Sequence, residues 1–343
     1  MTGPLRVALL GCGTIAREVH LPAFAAVGRD VVDLVVFTSR SLASAQRAAE
    51  QWGSGEVVKS WRAAITRGDV DAVDICTPNA LHRVMTEVAC AAGKHVLVEK
   101  PMAVTLDDAD AMIEAADKAA RVLMPAQNVR FAPSCQAAAR ALAEGRIGQL
   151  VGVRAALGHN GPQDWAPGAD WFFDRERSGG GALIDLGVHL FDLVRAVTAD
   201  EIIVEGAVLK PRSGAPGIED AAEVAFRLAG GAIGSLRASW DTSPPSGLQL
   251  TLVGTTGTIS IQSGKARAPI LLGSDGTVVE LDLPDPVNPY ALFGEAAAGR
   301  QPAPLDGRDG KAAVAAVLAA YEAAGRNLRG SGGHSDSYRG GDG

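Results

Sequence analysis

Along the first 125 residues, short uninterrupted apolar runs alternate with segments whose apolar positions recur every three or four residues. The runs Leu5–Leu10, Asp33–Thr38, Val70–Cys76, His95–Val98 and Val122–Met124 predict strands. Helices are predicted at Thr14–Val27, Leu42–Gln51, Leu81–Ala92 and Leu106–Arg121, with a shorter one at Trp61–Arg67. Strands that are apolar throughout imply a sheet covered on both faces. Helices between them imply parallel order with right-handed crossovers. The pattern is that of a doubly wound α/β domain.

Beyond this point the pattern changes. Pro133–Glu144 reads as a helix, Gly148–Leu157 as a strand, Trp165–Gly181 as a loop-rich stretch with four aromatic residues, and Ala182–Val197 as mostly helical. From Glu201 to Leu281 strands follow closely, among them Asp220–Leu228, Ala232–Trp240, Leu248–Val253 and Thr258–Ile261. Their turns are marked by Gly230-Gly231, Pro244-Pro245 and Gly257, which favours an antiparallel sheet. Helices are predicted again at Pro289–Ala298 and Arg308–Ala324. The expected organisation is therefore a first domain over 1–125, an α+β domain over 126–325, and a Gly/Ser-rich tail over 326–343 with little to bury.

Composition narrows the function classes. With 32 Lys and Arg against 39 Asp and Glu, the net charge of −7 gives no basic surface for nucleic acid or an acidic membrane. Cys12, Cys76, Cys90 and Cys135 have no paired spacing, so neither a disulfide framework nor a zinc-finger-like site is expected, and a reducing compartment fits. No run reaches the length of a membrane helix. Leu5–Leu10 is too short and too weakly flanked by charge for a signal peptide. A cytoplasmic location is expected.

Gly11-Cys12-Gly13-Thr14-Ile15-Ala16 follows the first predicted strand and opens the first predicted helix. Gly11 permits a tight turn, Gly13 lets backbone approach a pyrophosphate, and Ala16 allows close helix–strand packing. Amides at the helix start, near Thr14 and Ile15, then face the phosphates. At the end of the second strand an NAD site normally places a carboxylate for the ribose 2′-hydroxyl. Asp33 lies at the strand's beginning, and Thr38, Ser39 and Arg40 close it. Ser39 and Arg40 suit a 2′-phosphate, so NADP is expected over NAD. Alternatively Ser39 caps the next helix and Arg40 is simply solvated. Thr77-Pro78-Asn79 ends the Val70 run, where it either lines the cofactor groove or makes a rigid strand exit.

Two further segments carry chemistry. Glu99-Lys100-Pro101 ends the His95 strand and places Lys100 where a lysine can stabilise a developing alkoxide, unless it is merely solvated. Gly179-Gly180-Gly181 precedes a predicted helix with Asp185 and His189 one turn apart. A histidine there can serve as general base or acid, oriented by Asp185, and the glycines would let backbone approach a ligand. The same pair could equally be a packing interaction. Trp165 and Trp171 could wall a hydroxylated substrate or anchor their loop on the core. Tyr290 is either a helix-start contact or a pocket donor. No compact set of metal ligands is evident.

The Gly11 motif, Thr77-Pro78-Asn79 with His82, Glu99-Lys100-Pro101, Asn128–Pro133 and the Gly179–Asp192 segment together resemble the glucose-fructose oxidoreductase / inositol dehydrogenase / rhizopine catabolism (Gfo/Idh/MocA) superfamily over roughly residues 4 to 325. The resemblance implies an N-terminal Rossmann domain and a C-terminal α+β domain with a large, mainly antiparallel sheet, through which members assemble as dimers or tetramers. It implies NAD- or NADP-linked chemistry on sugars, cyclitols or their ketones. Lys100, Asp185 and His189 match the catalytic positions, with His189 moving the proton, and Arg130 matches a basic position that is either substrate-binding or structural. Ser39 departs from the NAD-preferring pattern. An NAD-dependent polyol dehydrogenase and a nucleotide-binding regulator without turnover remain alternatives at this point.

Overall fold

The structure, a computed structural model, describes residues 3–242, 246–262 and 267–325. The predicted tail at 326–343 and the Pro244-Pro245 turn lie outside the described residues. Within the first compact unit, β1 (Leu5–Leu10) pairs in parallel with β2 (Val32–Thr38) on one side and β4 (Ala72–Ile75) on the other. β3 (Glu56–Val57), β5 (His95–Val98) and β6 (Leu123–Pro125) complete a six-stranded sheet in the order β3-β2-β1-β4-β5-β6. The order reverses between β1 and β4, the switch point beyond which such sheets bind ligands. Strand residues Ala8, Leu10, Val73, Ile75, Val96 and Val98 pack with Met85, Ala89, Ala109 and Met112 of the flanking helices, which is why these strands read as mostly apolar runs. The two-residue β3 carries no such run and left no trace in the pattern.

This unit comprises Met1–Ala126 together with Asn288–Lys311. The predicted helix at 289–298, observed as Pro289–Ala297, therefore joins the first unit although its sequence position is late. Its start is fixed by Asn288, whose side chain accepts from the Tyr290 amide at 2.9 Å and donates to the Ala23 carbonyl at 2.8 Å.

The second unit, Gln127–Val287 and the chain from Ala312, is built on eight strands. They are β7 (Leu150–Gly158), β8 (Ile202–Pro211), β9 (Glu219–Leu228), β10 (Ile233–Ser239), β11 (Gly247–Gly254), β12 (Gly257–Gln262), β13 (Ile270–Gly273) and β14 (Val278–Glu280). The order is β14-β13-β12-β11-β7-β10-β9-β8, antiparallel throughout except for β7 beside β10. Strand residues alternate in burial: Leu236 and Ala238 point into a core shared with Leu190, Phe191 and Val194, while Ile233, Ser235 and Arg237 point outward. A sheet covered on one face only requires that alternation. Among the described residues no helix is long and apolar enough to cross a membrane.

Candidate active site

In the first unit, Gly11 leaves β1 at φ +93°, and a Cβ there would overlap the Cys76 carbonyl at the exit of β4. Glycine is required for conformation and for room alike. Gly13 differs, because nothing lies within 4 Å of the position its Cβ would take. Its missing side chain leaves open space above the turn, and residues 14–27 run on as one helix whose first amides face that space. A dinucleotide's pyrophosphate fits this cradle, and bound nicotinamide supplies a hydride acceptor or donor.

The helix contains a π turn at Ala16–His20 before the α-helical Leu21–Val27. Pro22 has no N–H to return to the preceding turn and its ring crowds the carbonyl there, so the turn widens. The widening directs His20 inward, fully buried. Its Nδ1 lies 2.8 Å from Asp74 Oδ2 and its Nε2 2.8 Å from Glu99 Oε1. The other Glu99 oxygen accepts the Lys100 backbone N–H at 2.9 Å. Cys76 Sγ stands 3.3 Å from His20 Nδ1, and the Tyr290 ring meets the imidazole edge-on at 5.0 Å. Burial by itself would lower the His20 pKa, but the Asp74 carboxylate beside it drives it well above the ordinary histidine range. Burial raises the Cys76 thiol, which stays protonated. Where the sequence showed no compact set of metal ligands, His20, Asp74 and Cys76 bring possible ligand atoms within 4.8 Å of one another, and here the imidazole is hydrogen-bonded to both carboxyl groups.

Tyr290 is buried against His20 and Phe24, with no hydrogen-bond partner for its hydroxyl among the described residues, so it is a core contact and no pocket donor. His82 ties two candidate turns together, its Nδ1 2.9 Å from the Pro101 carbonyl and its Nε2 2.9 Å from that of Thr77. Burial lowers the His82 pKa, so the neutral ring donates to one carbonyl at a time. The Lys100-Pro101 bond is cis. At the end of β2, Ser39 is half-buried and Arg40 exposed, while Ser41, not Ser39, caps the following helix by accepting from the Ser44 amide. Asp33 is engaged elsewhere, accepting from Trp52 Nε1 at 3.1 Å and Arg29 Nε at 3.0 Å.

In the second unit, Asp185 lies in another π turn, Leu183–Gly187, and His189 opens out of it in the α-helix Val188–Thr198. Asp185 is buried and accepts the Trp240 indole N–H at 2.9 Å. A histidine that sequence reasoning missed, His159, stands with Nε2 3.9 Å from Asp185 Oδ2. Its Nδ1 accepts the Gly161 N–H at 2.8 Å, so the neutral ring carries its proton on Nε2, toward Asp185. Trp165 packs edge-on against His159 and Phe172, and its indole N–H is buried with no partner among the described residues. Trp171 stacks on Phe172 at 3.9 Å.

Two expectations change here. Gly180 and Gly181 do not open room for a ligand: a Cβ on Gly180 would overlap the Tyr321 hydroxyl, and one on Gly181 the backbone of Glu219. They let the helix start pack on β9, where buried Glu219 accepts from the amides of Gly181 at 3.0 Å and Leu183 at 3.1 Å. Arg130, expected near substrate, engages its planar fork with the buried carboxylate of Asp192, Nε to Oδ2 at 2.8 Å and the second nitrogen to Oδ1. Its geometry is that of a structural tie between Asn128–Phe131 and the helix.

The model of the oxidoreductase family with an NAD-binding Rossmann fold matches residues 5–127, and that of the GFO/IDH/MocA C-terminal domain matches 135–260. The 1,5-anhydro-D-fructose reductase of Ensifer adhaerens is 34% identical over 330 residues, covering 93% of this chain and 96% of that protein. A levoglucosan dehydrogenase solved with NADH and levoglucosan is 26% identical with a TM-score of 0.84, over 94% of this chain and 98% of the other. The WlbA dehydrogenase of Bordetella pertussis, solved with NADH and UDP-GlcNAcA, is 26% identical with a TM-score of 0.81, over 94% of this chain and 96% of the other. NADH in these solved relatives overturns the expected preference for NADP. The physical reason lies in Ser39 and Arg40: a hydroxyl and an exposed guanidinium serve a ribose 2′-hydroxyl as readily as a 2′-phosphate, so a missing carboxylate discriminates poorly. A Gly11 turn at the sheet's switch point, followed by a one-sided antiparallel sheet and matched along nearly the whole chain, makes this protein an enzyme of the GFO/IDH/MocA oxidoreductase family.

Proposed function

We propose that this protein moves a hydride between NAD(H) and a hydroxyl- or keto-bearing carbon of a sugar or cyclitol. The observation that carries the reading is the set around Asp185, where a buried carboxylate faces Nε2 of His159 and the Trp165 ring packs edge-on against that imidazole. Such a set suits a compact polyol, whose hydroxyls need donors and acceptors and whose C–H faces need an apolar wall. Gly11, Gly13, Thr14 and Ile15 hold the pyrophosphate, Ser39 and Arg40 border the adenosine ribose, and Thr77, Pro78, Asn79 and Glu99 line the remaining groove. Lys100 donates to the reacting oxygen and favours its alkoxide character, while His189 takes the hydroxyl proton in oxidation and returns it in reduction. Asp185 orients substrate and neighbouring imidazole, with Trp165 and Trp171 at the substrate's flank.

A panel of anhydrosugars, free sugars, inositols and nucleotide-linked keto-sugars, followed by nicotinamide absorbance in both directions, tests this reading. Turnover of a member with NAD(H) is expected. Tight NADH binding with no turnover across the panel would replace the enzyme reading of these residues with that of a nucleotide-binding regulator.

We infer as well that a second copy of the chain covers the outward face of the eight-stranded sheet, giving a dimer or tetramer. Val208, Ile233 and Val278 are 72%, 70% and 65% exposed on β8, β10 and β14, which supports a partner for that face.

A further inference from the structure

Of the buried cluster around His20 only Glu99 has a place in the chemistry above, yet the cluster adjoins the backbone of the residue assigned to the reacting oxygen. His20 Nδ1 lies 2.8 Å from Asp74 and Nε2 lies 2.8 Å from Glu99, so each ring nitrogen shares a hydrogen bond with one carboxyl group. Asp74 comes from β4, Glu99 follows β5, and His20 comes from the π turn after the Gly11 loop, so the ring bridges three separate segments. Glu99 uses its second oxygen on the Lys100 N–H. Among the described residues, the titratable groups shown facing the ring are Asp74, Glu99, the neutral thiol of Cys76 and the neutral phenol of Tyr290.

We propose that His20 is a positioning residue for Lys100: its Nε2 hydrogen bond fixes the Glu99 carboxyl group, and that group fixes the Lys100 backbone where β5 ends. The proposal rests on the reading of Lys100 as the residue that meets the reacting oxygen. Its physical content is asymmetric. The Nδ1 bond to Asp74 anchors the ring, whereas the Nε2 bond to Glu99 transmits to Lys100. A role in stability alone draws no such distinction.

The asymmetry is testable because two amide side chains divide the imidazole's functions. Asn at position 20 puts its N–H₂ near the Nδ1 position, keeping the bond to Asp74 and losing Glu99. Gln puts it near Nε2, keeping Glu99 and losing Asp74. The full-length His20→Asn and His20→Gln proteins are compared with wild type, alone and combined with Lys100→Ala. The substrate is 1,5-anhydro-D-fructose with NADH, or the best member of the panel above if that sugar is not reduced. The readouts are kcat, KM, NADH affinity by fluorescence, and the urea midpoint.

With both variants destabilised, His20→Asn is expected to lose about 10- to 100-fold in kcat through a displaced Lys100. His20→Gln should retain most of it, and NADH affinity should hold in both. In the Lys100→Ala background the His20→Asn loss should vanish. Equal kcat for the two variants beside a disabled Lys100→Ala, or a His20→Asn loss that persists without Lys100, overturns the positioning role alone. A Lys100→Ala protein with wild-type kcat removes the Lys100 assignment itself, and the His20 proposal with it.

Discussion

The phenol of Tyr321 donates to the carboxylate of Glu219 at 2.7 Å, and the same Glu219 oxygen takes the amides of Gly181 and Leu183 at the start of the segment that carries Asp185 and His189. A buried carboxylate at a helix start satisfies amides that have no partner within the helix and complements the positive end of its dipole. The second unit thus holds its candidate chemistry in place through a glutamate and a tyrosine that touch no substrate in the reading above.

Tyr321→Phe removes one donor from that buried charge and should cost about 1.5–3 kcal/mol of stability, the range for hydrogen bonds to charged groups. Urea denaturation measures it. Glu219→Ala should cost more, because two helix-start amides and a phenol then lose their acceptor together.

Gly11 and Gly13 should separate stability from cofactor binding. Gly11→Ala forces a left-handed φ on a side chain that overlaps the Cys76 carbonyl, and should destabilise by more than about 1 kcal/mol. Gly13→Ala meets only open space and should leave the urea midpoint in place, while NADH affinity drops about tenfold, or about 1.4 kcal/mol. A Gly13→Ala protein that binds NADH like wild type would remove the pyrophosphate from this turn.

His189→Ala should lower kcat by about 10²- to 10⁴-fold, the usual contribution of a positioned acid–base group, with NADH affinity little changed. Steady-state kinetics and fluorescence titration decide it. Unchanged kcat would shift attention to His159, the other imidazole near Asp185.

His95 gives a pH signature in the first unit. Burial, then the nearby Arg121 charge, lowers its pKa from 6.5 to about 4, and its Nδ1 accepts the Val122 amide at 3.1 Å. Because the unfolded chain binds this proton more readily, the native stabilisation is complete above the unfolded value of 6.5 and is lost as pH falls toward 4. Urea midpoints of wild type should therefore fall between these pH values more steeply than those of His95→Asn.

Ile233→Lys, on the outward face of β10, should shift the protein toward monomer in light scattering while NADH affinity holds. Unchanged mass would place any oligomer contact elsewhere.

The sequence by itself determined the architecture. Short, mostly apolar runs separated by helical periods fit strands buried on both faces, so β1, β2, β4, β5 and β6 were legible to within two residues at either end. Gly11 and Gly13 were legible for the same reason, since a glycine turn between a strand and a helix has few other uses. What sequence could not carry is proximity between distant segments. His20 looked like an ordinary helical residue until Pro22 widened the turn before it and Asp74 and Glu99 closed on its ring. The glycines before Asp185 looked like ligand room until β9 and Tyr321 filled it, and Arg130 looked available until Asp192 engaged it. Local pattern follows from periodicity and covalent geometry, whereas the partner of a buried charge is chosen by desolvation in the folded core, which only the tertiary structure decides.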